Sequence, residues 1–85
     1  MLLKFYDAEF DIPEFVIEKF IKDFDGLAGG KNRESVLQLR YNIEEVLDAV
    51  AEDPEMLYDY ECRQDFLQAI AMQHALKHHG VMYDA

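Results

Sequence analysis

Carboxylates dominate the chemistry that this sequence offers. The stretch from residue 41 to residue 62 holds eight Asp and Glu residues and no Lys or Arg, so its net charge is −8. The whole chain of 85 residues carries 18 acids against 8 bases, which gives a formal net charge of −10 at pH 7. Such a balance repels nucleic acids and anionic membranes and attracts cations or basic proteins. We therefore expect no direct binding to nucleic acid or to a membrane.

Three interpretations compete for this acidic stretch: an ordinary solvated helix face, a cation site, or a surface that docks onto a basic protein. Runs of charge are usually solvated surface. The solvated face stays open as an alternative. Docking is the better-motivated functional interpretation, because no base relieves the repulsion among the carboxylates, and because tyrosines, which are common at interfaces, are interleaved with them. The residues that we predict to contact a partner are Tyr41, Glu44, Glu45, Asp48, Glu52, Glu55, Tyr58, Asp59 and Tyr60. For Tyr58, a place in the core is the alternative.

A cation site is suggested by one loop. Asp23, Asp25 and Glu34 have the spacing of positions 1, 3 and 12 in a calcium-binding EF-hand loop. The fifth position is Leu27, which has no side-chain oxygen, and the sixth is Ala28, where the sharp turn requires Gly. A calcium-dependent switch is therefore the third hypothesis for this protein, behind docking and self-assembly.

Metal binding and catalysis find little support in the remaining residue types. His74 and His78 stand four residues apart, a spacing that can place two imidazoles on one metal, but two ligands do not make a zinc site. Cys62 is the single cysteine, which excludes an intramolecular disulfide, and its acidic neighbours Asp59 and Glu61 raise a thiol pKa. We predict no catalytic residue, no metal, no other cofactor and no enzymatic activity.

Helices are predicted to position these side chains. The first helix begins near Asp11, because Asp11 and Glu14 have capping-box spacing and Pro13 suits a first turn. Phe15 lies outside the apolar stripe of this helix. The stripe itself consists of Val16, Ile17, Phe20, Ile21 and Phe24.

The second helix is predicted to run from an N-cap at Asn32 to a stop at Pro54, and Asp53 would cap a short third helix or turn reaching Tyr60. Leu37 and Tyr41 fall on the outward face, together with the acids. The core seam consists of Val36, Leu39, Ile43, Val46, Leu47 and Val50.

The last helix is predicted from near Cys62 to His79, with Gly80 as its C-cap. Its centre, residues 66–72, is apolar nearly all round, which is typical of the most buried helix of a bundle. The first ten residues form either a short extended arm or an irregular lead-in. The predicted fold class is all-α: residues 1–85 form one compact domain of three main helices and one short helix.

The expected location is the cytoplasm. The sequence has no run of about 18 apolar residues that could span a membrane. Its N-terminus, MLLKFYDAEF, lacks the long apolar region and the cleavage signature of a signal peptide.

The leading functional hypothesis is a small acidic protein that inhibits or neutralises a basic partner, such as a nuclease or another nucleic-acid-binding protein. Rows of carboxylates can imitate backbone phosphates and speed association, while tyrosines supply short-range contacts. Phage-type inhibitors of host nucleases and immunity-type partners of toxic nucleases are the natural contexts. The alternative is a structural or assembly protein that homo-oligomerises through its apolar helices.

The organisation is similar to that of DNase-toxin immunity proteins in length, in the number of helices, in the acidic second helix and in the short tyrosine-bearing third one. That resemblance implies a nuclease as the partner. The adjacent Tyr-Tyr-Pro of that family is not present here. Instead Tyr58 and Tyr60 are two residues apart and are followed by Glu61.

Overall fold

Six elements make up the part of the chain that the computed structural model describes, residues 1–26 and 33–80. A 3-10 helix, which we call the linker helix, joins the second and third α-helices. In chain order the elements are β1 (Leu2–Phe5), β2 (Ala8–Asp11), α1 (Glu14–Asp23), α2 (Arg33–Glu52), the linker helix (Pro54–Tyr58) and α3 (Tyr60–His78).

The N-terminal hairpin makes the fold α+β, so the predicted all-α class is wrong. β1 and β2 are antiparallel, with Leu2 opposite Asp11 and Phe5 opposite Ala8. Tyr6 and the residue after it form the two-residue turn. The period-2 signal of each strand is only four residues long, and its turn lacks the Gly or Asn that usually marks a hairpin. The first ten residues, for which an extended arm was one alternative, therefore form β1, the turn and most of β2.

At the end of the hairpin opposite the turn, the N-terminus of the chain is bonded to the last residue of β2 and to the residue that follows it. The N-terminal ammonium of Met1 donates to Asp11 Oδ1 at 3.2 Å and to the Ile12 carbonyl at 3.0 Å. The Ile12 N–H in turn donates to the Met1 carbonyl at 2.9 Å. Asp11 therefore does not cap α1 as predicted. The helix begins at Glu14, after Pro13, with no side-chain capping bond.

The core is built around α3, against which α1 and α2 both pack more extensively than they pack on each other. Phe66 and Leu76 of α3 are the largest fully buried side chains. Phe5 and Phe10 of the hairpin meet Phe66 edge to face, with ring centroids 4.9 and 5.0 Å away. Such pairs stabilise by about 0.5–1.5 kcal/mol beyond their buried area. The prediction that the last helix is the most buried one is confirmed.

The apolar stripes of α1 and α2 are also confirmed. Phe15, predicted to lie outside the α1 stripe, is 71% exposed. Leu37 and Tyr41, predicted on the outer face of α2, are exposed as well. The buried members of the two stripes are Ile17, Val36, Ile43, Leu47 and Val50, and the partly buried ones that pack on the core are Val16, Phe20, Ile21, Phe24, Leu39 and Val46.

The last helix begins two residues earlier than predicted. Asp59 is its N-cap and accepts a hydrogen bond from the Cys62 N–H at 3.1 Å, so α3 starts at Tyr60. Asp53 lies at the predicted cap of the linker helix, but its side chain makes no capping bond. The cap that stabilises this region is therefore Asp59.

The C-terminal end of α3 agrees with the prediction. Gly80 has a φ of +71°, the left-handed conformation of a helix-ending glycine, and its N–H donates to the Lys77 carbonyl at 3.0 Å. One residue earlier, His79 Nε2 donates to the Ile21 carbonyl at 2.5 Å. Because Ile21 belongs to α1, this bond joins the ends of α1 and α3.

The predicted connection from residue 27 to residue 32, including the Asn32 cap, lies outside the described residues. Within residues 1–26 and 33–80, no helix combines the length and the hydrophobicity needed to cross a bilayer.

Candidate protein-binding surface

Side chains on the outer face of α2 border a shallow, open groove of about 320 Å³, and all of them belong to this one helix. Its walls contain five of the nine predicted contact residues, together with Ala49. The five are Tyr41, Glu44, Glu45, Asp48 and Glu52, and we call this feature the acidic groove.

Helical spacing explains why these five side chains meet. Residues three and four positions apart share one face of an α-helix. The inner face of α2 is occupied by Ile43, Leu47 and Val50, which are at most 7% exposed. The acids and Tyr41 therefore emerge on the opposite side, where Tyr41 is 62% exposed.

Within residues 1–26 and 33–80, no salt bridge reaches the carboxylates of the acidic groove. There, the one salt bridge joins the Met1 ammonium to Asp11, far from the groove in sequence. Glu44 and Asp48 stand four residues apart, as do Asp48 and Glu52, and such like-charged pairs destabilise a helix by about 0.2–0.5 kcal/mol each. The groove therefore presents concentrated negative charge.

The position of the acids along α2 adds to this cost. The C-terminal end of a helix carries partial negative charge and is stabilised by basic side chains. α2 has no basic residue in its last turn, and it ends at Glu52. The helix dipole therefore gives the acids at this end of α2 no stabilisation.

The average density of these charges along the helix axis is close to that of phosphates along one DNA strand, although their spacing is uneven. Glu44 and Glu52 are eight positions apart, which is about 12 Å along a helix axis. Four carboxylates over that length give one charge every 4 Å or so, against one phosphate per about 3.4 Å along a DNA strand.

The other four predicted contact residues do not line the acidic groove. Glu55, Tyr58, Asp59 and Tyr60 lie in the linker helix and at the start of α3, and all four are exposed. Tyr58 is 90% exposed, so the alternative that placed it in the core is wrong. The predicted site is thus divided between the groove and a separate exposed segment.

Asp59 has a structural task in addition to its exposure. The Cys62 thiol and the Cys62 N–H both donate to its carboxylate and lower the pKa of Asp59. The hydrogen bond from the thiol to Asp59 raises the pKa of the Cys62 thiol. Burial and the charges of Asp59, Asp65 and Glu61 raise this pKa further, by smaller amounts. The expected direction for this thiol is confirmed, and a reactive thiolate is disfavoured at this position.

The other ligand-type residues are scattered. Across residues 1–26 and 33–80, no three His, Cys, Asp or Glu side chains are grouped closely enough to hold a metal ion. His74 is half-buried, while His78 is exposed and meets His79 edge to face at 5.3 Å between centroids. The loop positions of the EF-hand-like pattern between residues 27 and 32 lie outside the described residues. The absence of a metal, a cofactor and an enzymatic activity stays a prediction.

A second depression in the surface was not predicted from the sequence. It has a volume of about 330 Å³ and lies between the hairpin, the C-terminal half of α2 and the linker helix. No sequence signal marks it, because its walls meet only once the unpredicted hairpin packs on α3. We call it the hairpin cleft, and its defining residues are Phe5, Tyr6, Asp7, Phe10, Pro54 and Leu57.

Neither a protein-family model, nor a curated protein, nor a solved structure matches this chain. The proposals that follow therefore rest on its own residues and geometry.

Proposed function

We propose that this protein binds and inhibits a basic, nucleic-acid-handling protein by presenting the acidic groove in place of nucleic-acid phosphates. The observation that carries the proposal is the groove itself. Glu44, Glu45, Asp48 and Glu52 stand together on one exposed helix face beside Tyr41. Within the described residues, none of them forms a salt bridge.

Each component of the groove has a role in such binding. The carboxylates attract a positively charged surface from a distance and so raise the association rate, an effect that falls as salt screens the charges. Tyr41, which is 62% exposed, offers a rigid ring and a hydroxyl for contact at short range. Loss of a central aromatic anchor from an interface commonly costs about 2 kcal/mol or more of binding free energy.

Energetics also favour a functional explanation. The like-charged pairs of the acidic groove raise the free energy of the folded chain, and no structural role offsets that cost. Residues that disfavour folding are commonly retained where activity requires them. A partner's Lys and Arg side chains would neutralise the carboxylates of the acidic groove.

Self-assembly, the alternative function, draws less support from the geometry. It was predicted from the apolar seam of α2, the apolar surface of α3 and the apolar N-terminal arm, of which Leu2 stays 63% exposed. Val36, Ile43 and Leu47 of that seam are buried within a single chain, as are Phe66 and Leu76 of α3. These surfaces are occupied by the protein's own core, so they offer little to a second copy.

The proposed function implies that the protein acts in the cytoplasm. A protein that competes with nucleic acid for a partner must share that partner's compartment, which is the cytoplasm in a cell without a nucleus. A phage-type inhibitor of a host nuclease and an immunity-type protein against a toxic nuclease both fit this setting.

The test compares three immobilised proteins in the lysate of the source cell. The first is the wild type and the second is the Glu45→Lys/Asp48→Lys variant of the acidic groove. The third is Glu18→Lys/Asp23→Lys, which changes the net charge by the same amount at two exposed positions of α1. Because wild type and control keep the groove intact, we expect both to retain the same nucleic-acid-handling protein at low salt and to release it at moderate salt.

The groove variant is expected to retain none of that partner while keeping wild-type helicity by circular dichroism. Equal retention by all three proteins would contradict the proposal. So would equal loss from both variants, because net charge alone, and not the acidic groove, would then govern binding.

A further inference from the structure

The hairpin cleft combines aromatic walls with a carboxylate in its lining. Phe5, Tyr6 and Phe10 contribute rings from the hairpin, and Leu57 closes the opposite side from the linker helix. Phe5 and Phe10 rest on the buried Phe66, so their positions are fixed by the core. The rings lining the cleft are therefore supported from behind.

Acidic side chains belong to the cleft or adjoin it in the sequence. Asp7 is part of the lining and is exposed, and in the described part of the chain no base forms a salt bridge with it. Pro54, which also lines the cleft, is flanked in the chain by Asp53 and Glu55, both exposed. A cation entering the cleft would therefore meet the Asp7 carboxylate.

Tyr6 is held in an unusual backbone conformation. Its φ is +53°, in the left-handed region that non-glycine residues seldom adopt, and its side chain is 78% exposed. Its ring meets that of Phe5 edge to face, with centroids 4.7 Å apart. An exposed tyrosine does little for the core, so a residue better suited to the turn would serve the fold as well.

The occupant that matches this chemistry has an apolar stem, a flat cationic head and low hydration. Arginine has all three properties: its methylenes pack on apolar walls, and its guanidinium stacks on aromatic faces and pairs with carboxylates. The lysine ammonium is more strongly hydrated and cannot stack. A purely apolar side chain would leave the Asp7 carboxylate without a partner.

We propose that the hairpin cleft receives an arginine side chain of the basic partner protein. The inference rests on the proposed function, since it assigns to the same partner a second point of contact. It also gives the interaction a specific element, because the acidic groove attracts any basic surface whereas the cleft selects one side chain.

The test uses a small probe and needs no identified partner. Isotope-labelled wild-type protein is titrated by NMR with N-acetyl-arginine amide and, in parallel, with N-acetyl-citrulline amide. Citrulline has the shape of arginine but no charge. We expect saturable shifts of the Tyr6, Asp7 and Ala51 amide signals with arginine in the millimolar range. Binding of citrulline should be about tenfold weaker, since it lacks the cation–π and carboxylate attractions.

Two variants separate a binding role from a structural one. Asp7→Asn should weaken arginine binding and leave citrulline binding unchanged, because it removes the carboxylate attraction and keeps the aromatic walls. Tyr6→Gly should weaken arginine binding several-fold while the thermal midpoint changes little, because relief of the positive φ offsets the lost edge-to-face contact with Phe5. A structural role for Tyr6 would instead lower the midpoint clearly. The control Glu18→Gln, at an exposed position of α1, should leave arginine binding unchanged.

Three results would overturn this inference: equal binding of arginine and citrulline, shifts confined to the acidic groove, or no saturable shift. Its failure is distinct from that of the proposed function. If Asp7→Asn retains the partner fully while Glu45→Lys/Asp48→Lys loses it, the cleft is excluded and the acidic groove stands. If arginine binds in the cleft but the wild type retains no basic protein, the groove proposal fails instead.

Discussion

The inner and the outer face of α2 are formed by interleaved positions of the same twenty residues, yet they have opposite effects on the stability of the fold. The inner face places Ile43, Leu47 and Val50 in the core, where full burial of each side chain stabilises by about 1.5–3 kcal/mol. The outer face gathers like charges around Asp48 that oppose folding by a few tenths of a kcal/mol per pair. Burial on the inner face therefore stabilises the fold by more than the repulsion on the outer face destabilises it.

The contrast separates two kinds of variant. A change on the inner face should lower stability and affect binding only through unfolding. A change on the outer face should remove binding and leave stability unchanged or improved. Variants of the two faces can therefore test whether stability and binding are separable.

The largest effect is expected from Ile43→Ala. Ile43 is 2% exposed, and truncation of a buried isoleucine costs about 2–5 kcal/mol in lost burial and in the cavity left behind. Its sequence neighbour Glu44 points outward, so Glu44→Ala should change the free energy of unfolding by less than about 0.5 kcal/mol. Urea denaturation of both variants measures the difference. Equal destabilisation would contradict the assignment of Ile43 to the core and of Glu44 to the exposed face.

A smaller effect is expected from Asp59→Ala, which tests the one predicted contact residue with a structural bond. Loss of the N-cap of α3 should lower the thermal midpoint at pH 7 by about 5 °C. Asp53→Ala is the matched control, because Asp53 makes no side-chain capping bond and its removal should change the midpoint little.

The cap also predicts a pH dependence. Because hydrogen bonds from Cys62 lower the pKa of Asp59, its stabilisation is fully present above the ordinary value of 3.8 and is lost as pH falls through the lowered pKa. The difference in midpoint between wild type and Asp59→Ala should therefore be constant near neutrality and shrink below pH 3.8. A difference that grew on acidification would contradict the assignment of Asp59 as a cap acting through its charged form.

Asp48→Lys should stabilise the protein while removing its binding. The new lysine would lie four residues from Glu44 and Glu52 and three from Glu45, which converts repulsive pairs into attractive ones and adds about 0.5–1 kcal/mol to the free energy of unfolding. Urea denaturation and partner retention are measured on the same preparation. A variant that lost both stability and binding would place Asp48 among structural residues.

The smallest expected effect is that of salt on the wild type. Raising the ionic strength screens the repulsion on the outer face, so stability should rise by about 0.5 kcal/mol. The rise should be weaker in Asp48→Lys, where part of the repulsion has already been removed. An equal response in both proteins would locate the repulsion elsewhere in the chain.

The helices and their inward faces were predictable from the sequence, because a 3.6-residue period repeats several times in each. The hairpin was not. β1 offers only four residues, and its outward-facing Leu2 is apolar, so the alternation is weak. The turn residue Tyr6 has a positive φ that no local sequence rule assigns to tyrosine. Asp11 and Glu14 imitate a capping box because spacing alone does not reveal that Asp11 binds the N-terminus.

The candidate site was predictable in part for a similar reason. The acidic groove lies on one helix, and helical periodicity brings its five members together. Glu55 and Tyr58 belong to a 3-10 helix whose direction depends on tertiary packing, so their distance from the groove could not be derived. The hairpin cleft is formed by residues more than forty positions apart, such as Phe5 and Leu57, and required the folded structure.

The most direct test of the central claim is displacement by nucleic acid. The partner retained by the immobilised wild-type protein is challenged with a short DNA duplex at constant ionic strength, and the released fraction is measured against duplex concentration. If the acidic groove occupies the partner's phosphate-binding surface, the duplex should release the partner competitively and completely. Retention that is unaffected by saturating duplex would show that the groove binds elsewhere on the partner, and it would contradict the account.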